Sequence, residues 1–239
     1  MPEKKRSLVV IPARGGSKRL LRKNVLDLAG KPLIAHTIEA ALASKCFGRV
    51  LVTTDDLEIR NVAEGYPGVV VDDRDPLLAG DTIKVVDVIQ ELCSRADIQA
   101  EFDMIGMMLP TAPFRRVADL QKGFELLSPD VDAVISVAPY EFPPQMAVQL
   151  DGDVMTPIFE PSPLITGNTR SQDQRQAYRP NGSFYMTWIN SFQRLNSFFT
   201  GKVKCVVMTR LGSSDIDEKE DLDLARLIVQ AGLSESDFV

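Results

Sequence analysis

Histidine, cysteine and long apolar runs are all scarce in this chain, and each scarcity closes off a class of function. His36 is the only histidine. One imidazole argues against a zinc centre and excludes any mechanism that needs two. It lies in "PLIAHTIEAALAS", a helical pattern, and reads as a packed or half-exposed helix residue. Three cysteines, Cys46, Cys93 and Cys205, lie far apart and form no CxxC pair. They read as reduced core thiols of a cytoplasmic protein. No apolar stretch approaches the length of a membrane span. The basic opening is followed by only the short run "LVVI", too little for a signal peptide, so "EKKR" reads as a solvated tail. A basic excess is missing too. The 27 Lys and Arg stand against 33 Asp and Glu, a net charge of −6, which argues against nonspecific nucleic-acid binding.

What is present is an alternation. Short β-branched runs ("SLVVIP", "RVLVTT", "GVVV", "FDMIGMMLP", "DAVISVAP") are separated by helical patterns through the first 139 residues. Such alternation predicts βαβ units and a mostly parallel sheet buried on both faces. Helices are expected from Pro32, from Asp55 or Asp56 to Gly65, over 82–96 and over 116–128. The rhythm breaks over 140–180, where "YEFPPQ", "DGD" and "EPSP" bring prolines without periodicity. That stretch reads as an inserted arm. The pattern resumes over 181–239 with "GSFYMT", "WINSFQRLN", "KCVVMT" and a last helix ending at Gly232. At 239 residues this is one large α/β core interrupted by a subdomain.

In open α/β sheets ligands bind past the carboxyl ends of the strands. The first such loop, "PARGGSKRLLRKN", opposes the charge of the whole chain. Gly15 and Gly16 allow close backbone approach. Arg14, Lys18, Arg19, Arg22 and Lys23 supply charge-assisted donors for phosphate oxygens. The spacing is neither a Walker A loop nor GxGxxG. A second constellation, "SSDIDEKEDLDLA", puts Asp215 and Asp217 two residues apart, so both carboxylates point one way from an extended segment. That suits Mg²⁺. It equally suits acidic capping of the last helix, and spacing alone leaves both open.

Taken together, "IPARGGSKRLLRKN", "GKPLIAHTIEAAL", "TTDD", "LPTAPFR", "YRPNGSFYM" and "DIDEKEDL" resemble the acylneuraminate cytidylyltransferases over about residues 7–230. The resemblance implies a Rossmann-like nucleotidyltransferase fold with an inserted dimerisation arm. It implies a cytoplasmic homodimer that joins CTP to a nine-carbon 2-keto sugar acid, with Mg²⁺ or Mn²⁺ held by Asp215 and Asp217. Arg14 and Lys23 match phosphate-contacting positions. Gly15, Gly16, Ser17, Lys18 and Asn24 belong to the same loop, and Arg74, Asp81 and Thr82 fall near the nucleotide. On the sugar side it points to Arg170 and Arg179 as the carboxylate-binding and sugar-positioning arginines, Asn181 of "RPNG", and Phe198 and Phe199 over the acyl group. Nucleic acid and membrane are not expected partners.

Two departures stand out. The family's "LQPTSPLR" is here "MLPTAPFR", so Leu109 replaces a glutamine directed at the sugar, and leucine makes no hydrogen bond. The family's "DTAS" is here "DTIK", which brings in Ile83 and Lys84. The first departure leaves sialic acid and its deoxy relatives, legionaminic and pseudaminic acid, as alternatives. An eight-carbon keto-sugar cytidylyltransferase and a noncatalytic nucleotide-sugar binding module are the other readings.

Overall fold

Seven strands form one sheet in a computed structural model that describes residues 2–80 and 82–232. In chain order the elements are β1 (Ser7–Pro12), the short pair β2 (Asp27–Leu28) and β3 (Lys31–Pro32), α1 (Leu33–Ser44), β4 (Arg49–Thr54), α2 (Leu57–Glu64), β5 (Val69–Asp73), α3 (Val85–Ser94), α4 (Ala96–Glu101), β6 (Met104–Met107), α5 (Val117–Leu126) and β7 (Ala133–Pro139). The arm carries β8 (Val148–Asp151), β9 (Val154–Pro157) and α6 (Pro163–Thr166). Then come β10 (Tyr178–Trp188), α7 (Ile189–Leu195), β11 (Val203–Val207) and α8 (Lys219–Gln230).

The sheet order is β11-β7-β10-β6-β1-β4-β5. β1 runs parallel to β4 and β6, and β10 alone runs antiparallel to both its neighbours. The expected mostly parallel sheet is therefore present. Its central strand shows why such strands read as unbroken apolar runs. Val9 and Ile11 enter the core on one face with α1, α2 and α5, while Leu8 and Val10 enter the other with α3 and α7. A third, smaller cluster packs Leu222 and Ala225 of α8 against Leu28, Leu33 and Ile216. It ties the last helix to the loop that follows β1.

Several local expectations are corrected. "EKKR" is no loose tail: Lys4–Arg6 form a 3₁₀ turn, and Arg6 grips Asp103 through two hydrogen bonds of 2.6 and 2.7 Å. The helix expected from Asp55 or Asp56 to Gly65 is present, capped by Asp56 and closed by Gly65, which is right-handed; the left-handed residue comes three later, at Gly68 (φ 90°). The helix expected over 82–96 begins at Val85 and is followed by a separate helix, α4. Cys205 is exposed, unlike Cys46 and Cys93. Chain 140–180 returns to the sheet before its expected end, since Tyr178 already pairs with Pro139. Within the arm Met146 is buried, whereas Phe142 and Phe159 are exposed. Among the described residues no helix is long and apolar enough to cross a membrane.

Candidate active site

The carboxyl ends of β1, β5 and β6, with the start of α3 and the segment before α8, enclose a cleft of about 560 Å³. The basic loop forms one wall and is anchored from behind. Ala13 N–H donates to the Thr53 carbonyl and Gly15 N–H to Asp55 Oδ1, both at 3.0 Å. Asn24 Nδ2 donates back to the Arg14 carbonyl at 3.0 Å. Neither Gly15 nor Gly16 takes a left-handed conformation; Arg22 does (φ 56°). Gly15 is required for space instead, because a Cβ there would lie 2.5 Å from Asp56 Oδ2.

The cations of the loop divide. Arg22 turns away, pairing with Asp56 at 3.0 Å and with Glu58. Arg14, Lys18, Arg19 and Lys23 line the cleft, with Ser17 and Asn24. Arg74, 8% exposed, lies across from them and donates to the Thr53 carbonyl at 2.7 Å. Gly15, Gly16 and the exposed Thr82 do not line the cleft, and Asp81 lies outside the described residues.

Asp215 and Asp217 face these cations. Lys23 Nζ meets Asp217 Oδ1 at 2.7 Å, and Arg19 Nη2 meets Oδ2 at 2.5 Å. Burial pushes the Asp217 carboxyl up, but the two cations outweigh it and hold its pKa below the usual carboxylate range. Asp215 keeps exposed surface yet is recessed between the walls. Partial desolvation, reinforced by Asp217, raises its pKa, with a hydrogen bond from Thr111 in opposition. The helix-capping alternative falls to a neighbour: the first turn of α8 is closed by Asp221, which accepts from the Asp217 and Glu218 N–H groups at 2.9 and 2.8 Å. Both aspartates therefore keep side chains for the cleft.

The residues expected on the sugar side scatter. Leu109 lines the cleft. It packs on Gly182, whose φ of +70° and lack of a Cβ (one would lie 2.7 Å from Leu109 Cδ1) make the approach possible. Asn181 is 5% exposed and fully engaged: Ser136 Oγ and Ser183 N–H donate to its Oδ1 at 2.5 and 3.1 Å, and its Nδ2 donates to Ser213 Oγ at 2.8 Å. It anchors the loop leading to Asp215 rather than facing the cleft. Phe198 is core, its ring packed at a tilt against Phe192 and Tyr185, while Phe199 is exposed with its ring 5.3 Å from that of Tyr185. Burial raises the Tyr185 pKa, with the hydrogen bond from the Gly182 N–H in opposition and weaker, opposed contributions from Asp215 and Arg179. Arg179 pairs with Ala138 near the carboxyl end of β7, which puts it at the same end of the sheet as the cleft. Arg170 is on the arm, near Asp173, and does not line the cleft.

Residues 8–142 match the family model described as Cytidylyltransferase. The chain belongs to this family. It is 33% identical over 230 residues to the CMP-N,N'-diacetyllegionaminic acid synthase of Legionella pneumophila, covering 94% of this chain and 97% of that protein. It is 32% identical to the pseudaminic acid cytidylyltransferase of Campylobacter jejuni, covering 93% and 96%. To the N-acylneuraminate cytidylyltransferase of Escherichia coli it is 31% identical over 93% of this chain and 52% of that protein. A solved structure of CMP:2-keto-3-deoxy-manno-octonic acid synthetase complexed with CTP shares the fold, with a TM-score of 0.69 at 18% identity, covering 95% of this chain and 99% of that one.

In this cytidylyltransferase the cleft also holds a pairing and a residue that the sequence did not announce. Arg19 lay inside the basic loop, and its pairing with Asp217 spans 198 positions of sequence. Thr111, in "LPTAPFR", lines the cleft, and its carbonyl accepts from the Ile216 N–H at 2.8 Å. Only the fold brings these partners together.

Proposed function

We propose that the cleft joins CTP to a nine-carbon 2-keto sugar acid. The anomeric hydroxyl oxygen attacks the α-phosphorus in line. A phosphorus–oxygen bond forms as the bond to the bridging oxygen breaks, and pyrophosphate and one proton leave. Arg14, Lys18, Arg19 and Lys23 hold the triphosphate and neutralise the departing pyrophosphate, as charge-assisted donors do. The apolar side of the cleft, with Ile83, Val85 and Val88, packs the base near Arg74. Leu109 and the Tyr185, Phe198 and Phe199 cluster bound the sugar side, near Arg179. The observation that carries this reading is the convergence of a basic loop and two aspartates on one cleft, in a chain of this family.

Asp215 and Asp217 would hold Mg²⁺ or Mn²⁺. Both are hard oxygen donors, and a divalent cation would relieve the unfavourable charge of the recessed Asp215 beside Asp217. Such an ion supplies charge neutralisation at the phosphates. The unpaired cysteines suit the reducing cytoplasm.

The test is CTP-dependent pyrophosphate release over a panel of eight- and nine-carbon keto-sugar acids. Release with a nine-carbon acid, abolished by EDTA and restored by Mg²⁺, is expected. Asp215→Asn should lower kcat by about a hundredfold, the scale of a lost electrostatic contact in a transition state. Turnover of the eight-carbon acid alone would replace the sugar assignment. Nucleotide binding without release would make the protein a binding module.

A further inference from the structure

Arg115 lies behind the cleft wall and is 6% exposed. Its three donors meet neutral oxygens. Nε reaches Ser183 Oγ at 3.1 Å, Nη1 reaches Thr37 Oγ1 at 2.7 Å, and Nη2 reaches the Leu109 carbonyl at 2.6 Å. Among the described residues no carboxylate pairs with it, and burial alone pushes its pKa down to about 9. A buried cation without a counter-charge costs folding free energy, so stability does not explain the arginine. Geometry does. Ser183 belongs to β10, Thr37 to α1 and Leu109 to the segment after β6, so one planar fork fixes three elements against each other. Thr37 itself is fully buried, and its hydroxyl lies 3.4 Å from both the Leu109 and Pro110 carbonyls. The segment held in this way presents Leu109, Pro110 and Thr111 to the cleft.

We propose that Arg115 is a positioning residue for sugar selection: its fork fixes the Leu109 carbonyl and so sets where the Leu109 side chain stands in the cleft. This rests on the reading of the cleft as a sugar-acid site. Lysine keeps the charge but offers no rigid fork, and glutamine offers neither.

Arg115→Lys, Arg115→Gln and Thr37→Val separate the alternatives, the last in case the arginine variants do not fold. In each, KM for the preferred acid should rise about tenfold, CTP KM should stay within about threefold, and discrimination among sialic, legionaminic and pseudaminic acids should shrink, as loosened positioning predicts. Equal losses toward acid and CTP, or lowered thermal stability with unchanged discrimination, would overturn the proposal. If the wild type turns over none of the acids, the sugar reading fails by itself. Amide hydrogen exchange then decides on Arg115: the Leu109 N–H, bonded to the Gly182 carbonyl, should exchange at least about tenfold faster in the variants while β1 stays protected. Unchanged exchange there would sink it.

Discussion

On the proposed reading of the cleft, Leu109 offers the sugar a hydrocarbon side chain that can make no hydrogen bond. It is held against Gly182 by a contact that any side chain at that glycine would block. An apolar wall rejects an added hydroxyl weakly, by roughly a hundredfold at most. The protein should therefore prefer a deoxy nine-carbon acid and still turn over sialic acid slowly. Leu109→Gln should shift the ratio of kcat/KM values toward sialic acid by about 1 kcal/mol, the net worth of one hydrogen bond. Wild-type preference for sialic acid would remove Leu109 as the selector. The same residue marks how far single positions can be read from sequence. Leu109 was legible because its neighbours match a motif and it does not. Asn181 matches its motif equally well, yet its amide is engaged by Ser136, Ser183 and Ser213. A motif records that a residue type is needed, and only packing tells whether it faces the ligand or holds up what does.

At the scale of elements, the entry to α2 shows how the basic loop is kept in shape. Asp56 caps the helix by accepting from the Glu58 and Ile59 N–H groups at 2.9 and 3.0 Å, and it pairs with Arg22. Burial works to raise its pKa, but the Ile59 amide, Arg22 and the Glu58 amide outweigh it and hold the carboxyl below its ordinary value. A depressed folded pKa means that the stabilisation is present above the unfolded value of about 3.9 and is lost as pH falls through the folded one. Asp56→Ala should thus lower stability by about 1 kcal/mol near pH 7. Urea unfolding should show the deficit shrinking below about pH 4. A deficit that stays constant down to acid pH would mean that the charge is idle. Elements of this kind were largely legible. Asp56 precedes an apolar period, and the α8 pattern ends where Gly232 takes φ 65°. The boundary between α3 and α4 was not, because Arg95 breaks the helix while forming pairs with Glu91 and Asp72 that no local pattern announces.

The arm poses a question for the whole molecule. β8 and β9 form a two-stranded ribbon, and such a ribbon is marginal without a surface to pack on. Its residues Leu150, Val154 and Met155 are 54–69% exposed, and Ile158 and Ile165 beyond it are 54% and 75% exposed. That much apolar surface on one projection marks an interaction site. The arm also carries Arg170, away from the cleft of its own chain. We propose a homodimer that covers the ribbon, with each arm reaching the partner's sugar side, which would account for both observations. A stable interface buries on the order of 1,600 Å², and sedimentation at micromolar protein should show a dimer. The double substitution Met155→Asp with Ile158→Asp should release monomers, since buried charge without a partner is costly. The cationic wall and both aspartates come from one chain, so the monomer should bind CTP with wild-type affinity. KM for the acid should rise by about tenfold or more if contacts worth upward of 1.4 kcal/mol come from the neighbour. A wild-type monomer with full activity would defeat the proposal. A monomeric variant whose KM for the acid is unchanged would leave the arm an assembly device with no part in the sugar site.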